Sequence, residues 1–327
     1  DVARLAGVSP KTVSRVVNGE AHVREATKAA VEKAISALGY RPNLAARSLA
    51  ASRSFLIGLI SMRLDAYIFR SMHSSGVRAC RERGLHLFVE ELESIDNHTL
   101  SYLESSLRQM RPEGVIVSQL SDQPEILDLL EGLNIRYVRI LPNTEPERSD
   151  AVTSNGSQGM KLQAEHLWNL GHRHIAIVEP DLPWRHVFKE RLIELGCDPA
   201  QLVALNFDWR KPPVESGSEI AAALLALPVR PTAIHAFNDE VAAGLINYAW
   251  AHGLHIPRDL SVAGFDDAEI SRAVWPSITT VRQPFEAMIE AAVELLTDPS
   301  DDGKPREVVC PVQLIVREST AAPNTAN

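Results

Sequence analysis

Ser9-Pro10-Lys11-Thr12-Val13-Ser14-Arg15-Val16-Val17-Asn18-Gly19 reads as a short helix with one apolar and one cationic face. Ser9 is a good N-cap and Pro10 suits the first helical position, where a missing N–H costs nothing. Val13, Val16 and Val17 recur at i, i+3 and i+4, whereas Lys11, Arg15 and Asn18 recur on the opposite side. Gly19 closes the helix. Upstream, Val2, Leu5 and Ala6 form a second small apolar stripe, and Gly7-Val8 makes a tight turn between the two helices. Two short helices joined in this way are a helix-turn-helix, whose second helix can lie in the major groove of DNA. Any small helical hairpin would show the same two faces, so the periodicity leaves both readings open.

The wording of the stretch from Asp1 to Leu49 separates them. Asp1-Val2-Ala3-Arg4-Leu5-Ala6-Gly7-Val8-Ser9, Thr12 to Gly19, Leu38-Gly39-Tyr40-Arg41-Pro42-Asn43 and Ala46-Arg47-Ser48-Leu49 closely resemble the headpiece of the LacI/GalR family of bacterial repressors. Helix placement and resemblance together imply that Lys11 and Arg15 face base edges, with Pro10 shaping van der Waals contact. Ser9, Thr12, Ser14 and Asn18 are then expected mostly on phosphates. A third amphipathic helix follows, carrying Ala26, Ala30, Val31, Ala34, Ile35 and Leu38 and ended by Gly39. Arg24 stands near its start, where the family usually has a Ser or Asp cap.

Residues 43–53 are too short and too alanine-rich to hold a helix alone in water. They read as a plain linker or as a hinge that becomes helical only on DNA. The resemblance implies the hinge, with Asn43, Ala46, Arg47 and Leu49 among the DNA contacts and Leu49 wedged between base pairs in the minor groove.

The net charge of −9 argues against nucleic acid only if charge is evenly spread. It is not: residues 1–53 hold nine bases and four acids, leaving −14 on the remainder. A basic module on an acidic body suits a protein that grips phosphate with one end. At 327 residues with 45% hydrophobic content, the chain is long enough for several domains and a sizeable core. It has no apolar run of membrane-spanning length and no signal-peptide pattern, so a cytoplasmic location is expected, and the missing initial Met suggests absent upstream residues. Cys80, Cys197 and Cys310 lie far apart and suggest buried apolar residues rather than disulfides or a zinc site.

From Phe55 onward, short apolar runs alternate with helical segments. Strands are expected at Phe55–Ser61, Leu85–Glu90, Gly114–Ser118 and Arg136–Leu141, with helices at 67–83, 97–110 and 123–131. After about residue 152 the scheme repeats, with strands at His174–Val178, Leu202–Phe207, Thr232–Ala236 and Leu260–Gly264 and helices at 157–170, 184–195, 216–227 and 239–252. Such alternation implies parallel sheets covered on both faces, and two units of similar length imply two lobes with a cleft.

The body also resembles the LacI/GalR regulatory domain, on His166-Leu167, Leu170 to Ala176, Phe237-Asn238-Asp239, Ser261 to Asp267 and Thr279 to Pro284. The fold class expected is therefore an all-α helix-turn-helix headpiece plus an α/β, two-lobed, periplasmic-binding-protein-like regulatory domain with doubly wound parallel sheets. The divisions expected are a DNA-binding domain at 1–41, a hinge at 42–54, a body at 55–319 and a tail at 320–327. Lobe one takes 55–152 and 285–308; lobe two takes 153–283 and 309–319. A strand near Gln283 crosses back to the first lobe, and a last strand at about Val309–Arg317 returns to the second.

Asn238-Asp239, Asp266-Asp267 and Gln283 each follow an apolar strand, where ligand groups gather in open α/β sheets. Side chains that both donate and accept, beside an aromatic plate, suit a polyhydroxyl compound. Trp209 offers such a plate. By resemblance Asn238, Asp266 and Gln283 are effector contacts, with Trp209 and Phe285 near the rim, while Asp239 reads better as a helix cap. The family's ligand-clamping arginine falls on Trp184, with Arg185 one place on, so either Arg185 substitutes through a shifted turn or the ligand is held by stacking. The first-lobe loop Met62 to Tyr67 also departs from the family pattern; Arg63 or Arg139 is an alternative partner for an acidic sugar.

His172-x-His174 lacks a third metal ligand, and no phosphate loop, nucleophile elbow or paired cysteine motif occurs, so neither an enzyme nor a cofactor or metal is expected. The function expected is a transcriptional repressor acting as a homodimer on palindromic operator DNA under control of a sugar-like effector. A tail without a leucine heptad gives no reason to expect tetramers. The competing classes are a solute-binding protein of carbohydrate uptake and a general DNA-compacting protein.

Overall fold

A computed structural model describes residues 1–17, 23–40, 47–48, 51, 53–62, 66–143, 147–179, 186–207, 211–298 and 304–324. In the headpiece, α1 (Val2–Ala6), α2 (Pro10–Val17) and α3 (Glu25–Leu38) pack around Val2, Val13, Val31 and Ala34. Gly7 turns between α1 and α2 at φ 66°, and Gly39 ends α3 at φ 56°, its N–H returning to the Ile35 and Ser36 carbonyls. Both positions need the left-handed region that glycine enters without strain. Ser9 accepts the Thr12 backbone N–H at 3.1 Å, and Arg24 precedes α3 without a side-chain cap. Several expected stripe residues are not in the core: Leu5 is 57% exposed, because a five-residue helix turns only Val2 fully inward, and on α3 only Val31 and Ala34 are buried, leaving Ala26, Ala30 and Leu38 exposed.

The first lobe is a parallel sheet of β1 (Leu56–Met62), β2 (His86–Leu92), β3 (Gly114–Val117), β4 (Tyr137–Ile140), β5 (Asp150–Ser154) and β11 (Glu307–Cys310), in the order β11-β5-β4-β3-β1-β2. Alternate residues of β1 feed two cores. Ile57 and Leu59 join Met72 of α4 (Ala66–Glu82) and Met288, Ile289 and Val293 of α12 (Phe285–Thr297). Ile60 joins Leu103 and Leu107 of α5 (Asn97–Met110) and Ile126 and Leu130 of α6 (Pro124–Gly132). Both faces are thus covered, as parallel sheets require.

The second lobe repeats the scheme with β7-β6-β8-β9, formed by β6 (Ile175–Glu179), β7 (Leu202–Asn206), β8 (Ala233–His235) and β9 (Ser261–Ala263). Around them lie α7 (Gly156–Asn169), α8 (His186–Glu194), α9 (Pro213–Leu225), α10 (Asp239–Ala251) and the short α11 (Ile270–Ala273). The helix expected at 216–227 begins earlier, at Pro213, a residue suited to the first turn. The α9 and α10 backbones nearly touch: a Cβ on Gly217 would lie 2.1 Å from the Val241 carbonyl oxygen, and one on Gly244 2.1 Å from that of Val214.

Among the described residues the chain passes between the lobes at three places. These are Asn155, Gln283-Pro284 and Pro311-Val312. The single strand expected over Val309–Arg317 is two strands, because Pro311 has no N–H to continue a ladder. Its first part, β11, pairs with β5 in the first lobe, and its second, β12 (Gln313–Ile315), pairs antiparallel with β10 (Thr280–Arg282).

Candidate functional site

On the headpiece, burying Val13 turns Lys11, Ser14 and Arg15 outward on α2, with Ser9 and Pro10 exposed at its start and Thr12 half-buried. The Thr12 hydroxyl shares a 2.9 Å hydrogen bond with that of Ser9. This face carries two cations and several hydroxyls with no apolar cover, a surface suited to phosphates and base edges. Asn18, Asn43, Ala46 and Leu49 lie outside the described residues. Arg47 is turned toward the body, where its guanidinium lies 3.8 Å from the Phe55 ring centroid and donates to the Gly84 carbonyl at 3.3 Å.

At the carboxyl ends of the strands, Gln283 joins the lobes. Its Oε1 accepts the Ser154 hydroxyl from the end of β5, and its Nε2 donates to Asp266 Oδ1 at 3.2 Å. Asp266 takes φ 100°, and its backbone N–H donates to the Val281 carbonyl at 2.8 Å. Asn238 is half-buried at the start of α10, where its Oδ1 accepts the Val241 N–H at 2.9 Å, and the next N–H, from Asp239, donates at 3.0 Å to the carbonyl of Phe265, the residue before Asp266. Three expected effector contacts, Asn238, Asp266 and Gln283, therefore share one edge of the cleft. Arg185 and Trp209 lie outside the described residues.

Phe285 is 2% exposed within the first-lobe core, so the start of α12 anchors that core rather than presenting an open rim. The capping role expected of Asp239 belongs to Asn238. Asp239 is fully buried, and its Oδ2 accepts the Ala268 N–H at 2.6 Å. Burial pushes its carboxyl well above the usual carboxylate range, and the nearby charges of Asp266 and Asp267 push the same way. Arg139 is also fully buried, 3.4 Å from Asp122 and 3.0 Å from the Ser149 hydroxyl, which ties it into the first lobe. Two rings not singled out in the sequence, Phe207 after β7 and Phe237 after β8, stack at 4.6 Å. Their position directly after apolar strands was the available signal.

Asp267 holds both returning strands. Its carboxylate accepts Arg317 after β12, Arg282 Nε at 2.6 Å from β10 and Arg272 Nη2 at 3.0 Å. Burial alone would raise its pKa, but the hydrogen bonds from Arg317, Arg282 and Arg272 outweigh burial and hold it below the ordinary value. An exposed ion pair, Arg70 to Glu269 at 3.6 Å, spans the two lobes near a groove of about 270 Å³ that Arg70, Ser74, Asp267 and Arg272 help to line.

A helix-turn-helix reader attached to a hinged, two-lobed cleft defines a ligand-responsive DNA-binding regulator. Residues 1–43 match the bacterial regulatory proteins of the lacI family, and residues 164–320 match the periplasmic binding protein-like domain. The chain is 32% identical over 309 residues to the HTH-type transcriptional repressor PurR of Actinobacillus pleuropneumoniae serotype 3 (strain JL03), covering 91% of this chain and 89% of that protein. Its fold matches the lac repressor dimer bound to operator and the anti-inducer ONPF, with TM-score 0.81, 28% identity and 98% of each chain covered. It also matches the transcriptional regulator CelR-cellobiose complex, with TM-score 0.70, 26% identity, 97% of this chain and 98% of that one. The chain belongs to the LacI family and is a DNA-binding transcriptional regulator. The headpiece match sets it apart from a solute-binding protein that has the two lobes alone. Among the described residues no helix is long and apolar enough to cross a membrane.

Proposed function

We propose that this chain is a cytoplasmic, homodimeric repressor of palindromic operators whose DNA affinity is set by a sugar-like compound in the cleft. Residues 1–41 act as the reader, 42–54 as the hinge and 55–319 as the regulatory body. Lys11 and Arg15 read base edges; Ser9, Pro10, Thr12, Ser14 and Asn18 fix position on the duplex; Asn43, Ala46 and Leu49 belong to the hinge contacts. The operator-bound lac repressor dimer supports the two-fold arrangement, and the cellobiose complex supports a carbohydrate effector.

The observation that carries the reading is the chain of side chains from Ser154 through Gln283 to Asp266. The Gln283 amide and Asp266 carboxylate on one edge, joined to the Ser154 hydroxyl of the other lobe, offer a polyol both donors and acceptors. Asn238, Arg185 and Trp209 complete the set. A compound that replaces these contacts changes the angle between the lobes, and the first lobes carry the hinge segments with them. A ligand shifts this equilibrium only by its differential affinity for the two arrangements, so DNA and effector affinities change reciprocally.

Leu49→Ala tests the reading. Operator affinity falls at fixed salt while calorimetric binding of a mono- or disaccharide to the body is unchanged. Equal operator affinity in both proteins removes the hinge from the mechanism.

A further inference from the structure

The segment that joins reader to body ends in a built joint at the foot of the first-lobe sheet. Glu113, just before β3, places its carboxylate between two groups of the incoming chain. Oε1 accepts Arg53 Nε at 3.2 Å and the Phe55 backbone N–H at 2.9 Å, and Oε2 accepts Arg53 Nη2. Phe55 takes φ 59°, a left-handed conformation that a bulky residue holds only when its surroundings impose it. Its carbonyl is occupied as well, accepting the His86 N–H at 2.8 Å, while Glu113 N–H donates to the Leu56 carbonyl at 2.8 Å. The Phe55 ring is 8% exposed with the Arg47 guanidinium stacked on it, and the Ser48 hydroxyl donates to the Ser54 carbonyl at 3.2 Å.

We infer that Glu113 and Arg53 are positioning residues for DNA recognition, fixing the point and direction in which each hinge segment leaves the body. The inference rests on the proposed operator-binding function and deepens it. The Arg53 side chain is 58% exposed and that of Glu113 20%, and a pair open on its arginine side contributes little to folding. What the pair does is geometric: it sets the corner at Phe55, from which β1 runs about 20 Å to the cleft. One rigid strand thus connects the cleft edge to the corner. In a two-fold dimer, two such corners set the separation of the two readers, and that separation must equal the half-site spacing of the operator. Release of Arg53 lets the corner swing and leaves each reader intact.

The experiment uses the full chain and an inverted-repeat duplex selected from random DNA by the wild-type protein. Affinity is measured for that duplex and for versions with one base pair inserted or deleted at the centre. Glu113→Gln keeps an acceptor for the Phe55 N–H but loses the charge, and Arg53→Gln loses the partner. Each variant lowers discrimination between spacings about threefold to tenfold, the double variant lowers it no further, and the melting temperature stays at the wild-type value. A merely structural pair would instead move stability and leave spacing preference alone. Wild-type spacing preference in both single variants overturns the joint and leaves the operator-binding reading standing. Failure of the wild-type protein to select any inverted repeat overturns both.

Discussion

Gln283 donates a 3.2 Å hydrogen bond to Asp266, and the same side-chain amide accepts the Ser154 hydroxyl from the other lobe. Gln283→Glu replaces the donor with a second carboxylate facing Asp266. Repulsion separates the pair, and saccharide affinity measured by calorimetry falls about tenfold or more. Gln283→Glu with unaltered affinity would remove this bridge from the ligand site.

His172 gives the second lobe a defined acid response. It is 1% exposed; Nε2–H donates to the Ala321 carbonyl at 2.9 Å, and Nδ1 lies 2.8 Å from the Thr232 hydroxyl, an arrangement that suits the neutral ring. Burial lowers its pKa to about 4. The unfolded chain takes up this proton near the ordinary value of about 6.5 and the folded chain does not, so stability is intact above that pH. It is lost as pH falls from about 6.5 to about 4, by up to about 3 kcal/mol. Denaturant unfolding of wild type and His172→Gln across that window checks this: the wild-type curve declines more steeply. Parallel curves would contradict it.

Close helix contact predicts a packing-sensitive pair. A methyl group on Gly217 meets the backbone oxygen of Val241, which has no flexible end to move aside. Gly217→Ala therefore pushes α9 from α10 and costs about 2 kcal/mol or more in denaturant unfolding. A variant as stable as wild type would show that the helices separate freely.

The reader should separate specificity from grip. Arg15 lies on the exposed face of α2, opposite Val13. Arg15→Ala relaxes base preference at one position of each half-site by about 1 to 3 kcal/mol, seen by competition among operator variants. A uniform loss across all duplexes would mark Arg15 as a phosphate contact instead.

Local chemistry explains what could be read from the sequence. Gly7 and Gly39 announce turns because few other residues enter their backbone region, and the runs around Ile57 and Ile175 announce strands because both neighbours on the sheet are apolar. Asn238 and Asp239 show where local chemistry stops. Both types cap helices, and only the three-dimensional path of Phe265 to Ala268 buries the second and leaves capping to the first. Phe285, Met288, Ile289, Ala292, Val293 and Leu296 make a helical stripe on α12 that is legible locally, whereas its partners on β1 and α4, about 200 positions or more away, are not. Glu113 carries no local signal of its role, because its partners Arg53 and Phe55 lie about 60 residues upstream. Resemblance puts Phe285 near the cleft rim, and Arg139 is an alternative partner for an acidic sugar, but their neighbours bury both inside the first lobe.

The most direct measurement is equilibrium anisotropy with the full chain, comparing a labelled inverted repeat selected in vitro with a scrambled duplex at physiological salt. Sequence-specific recognition predicts binding at least about 10³-fold tighter to the repeat, with affinity falling steeply as salt rises. Equal affinity for both duplexes would contradict it.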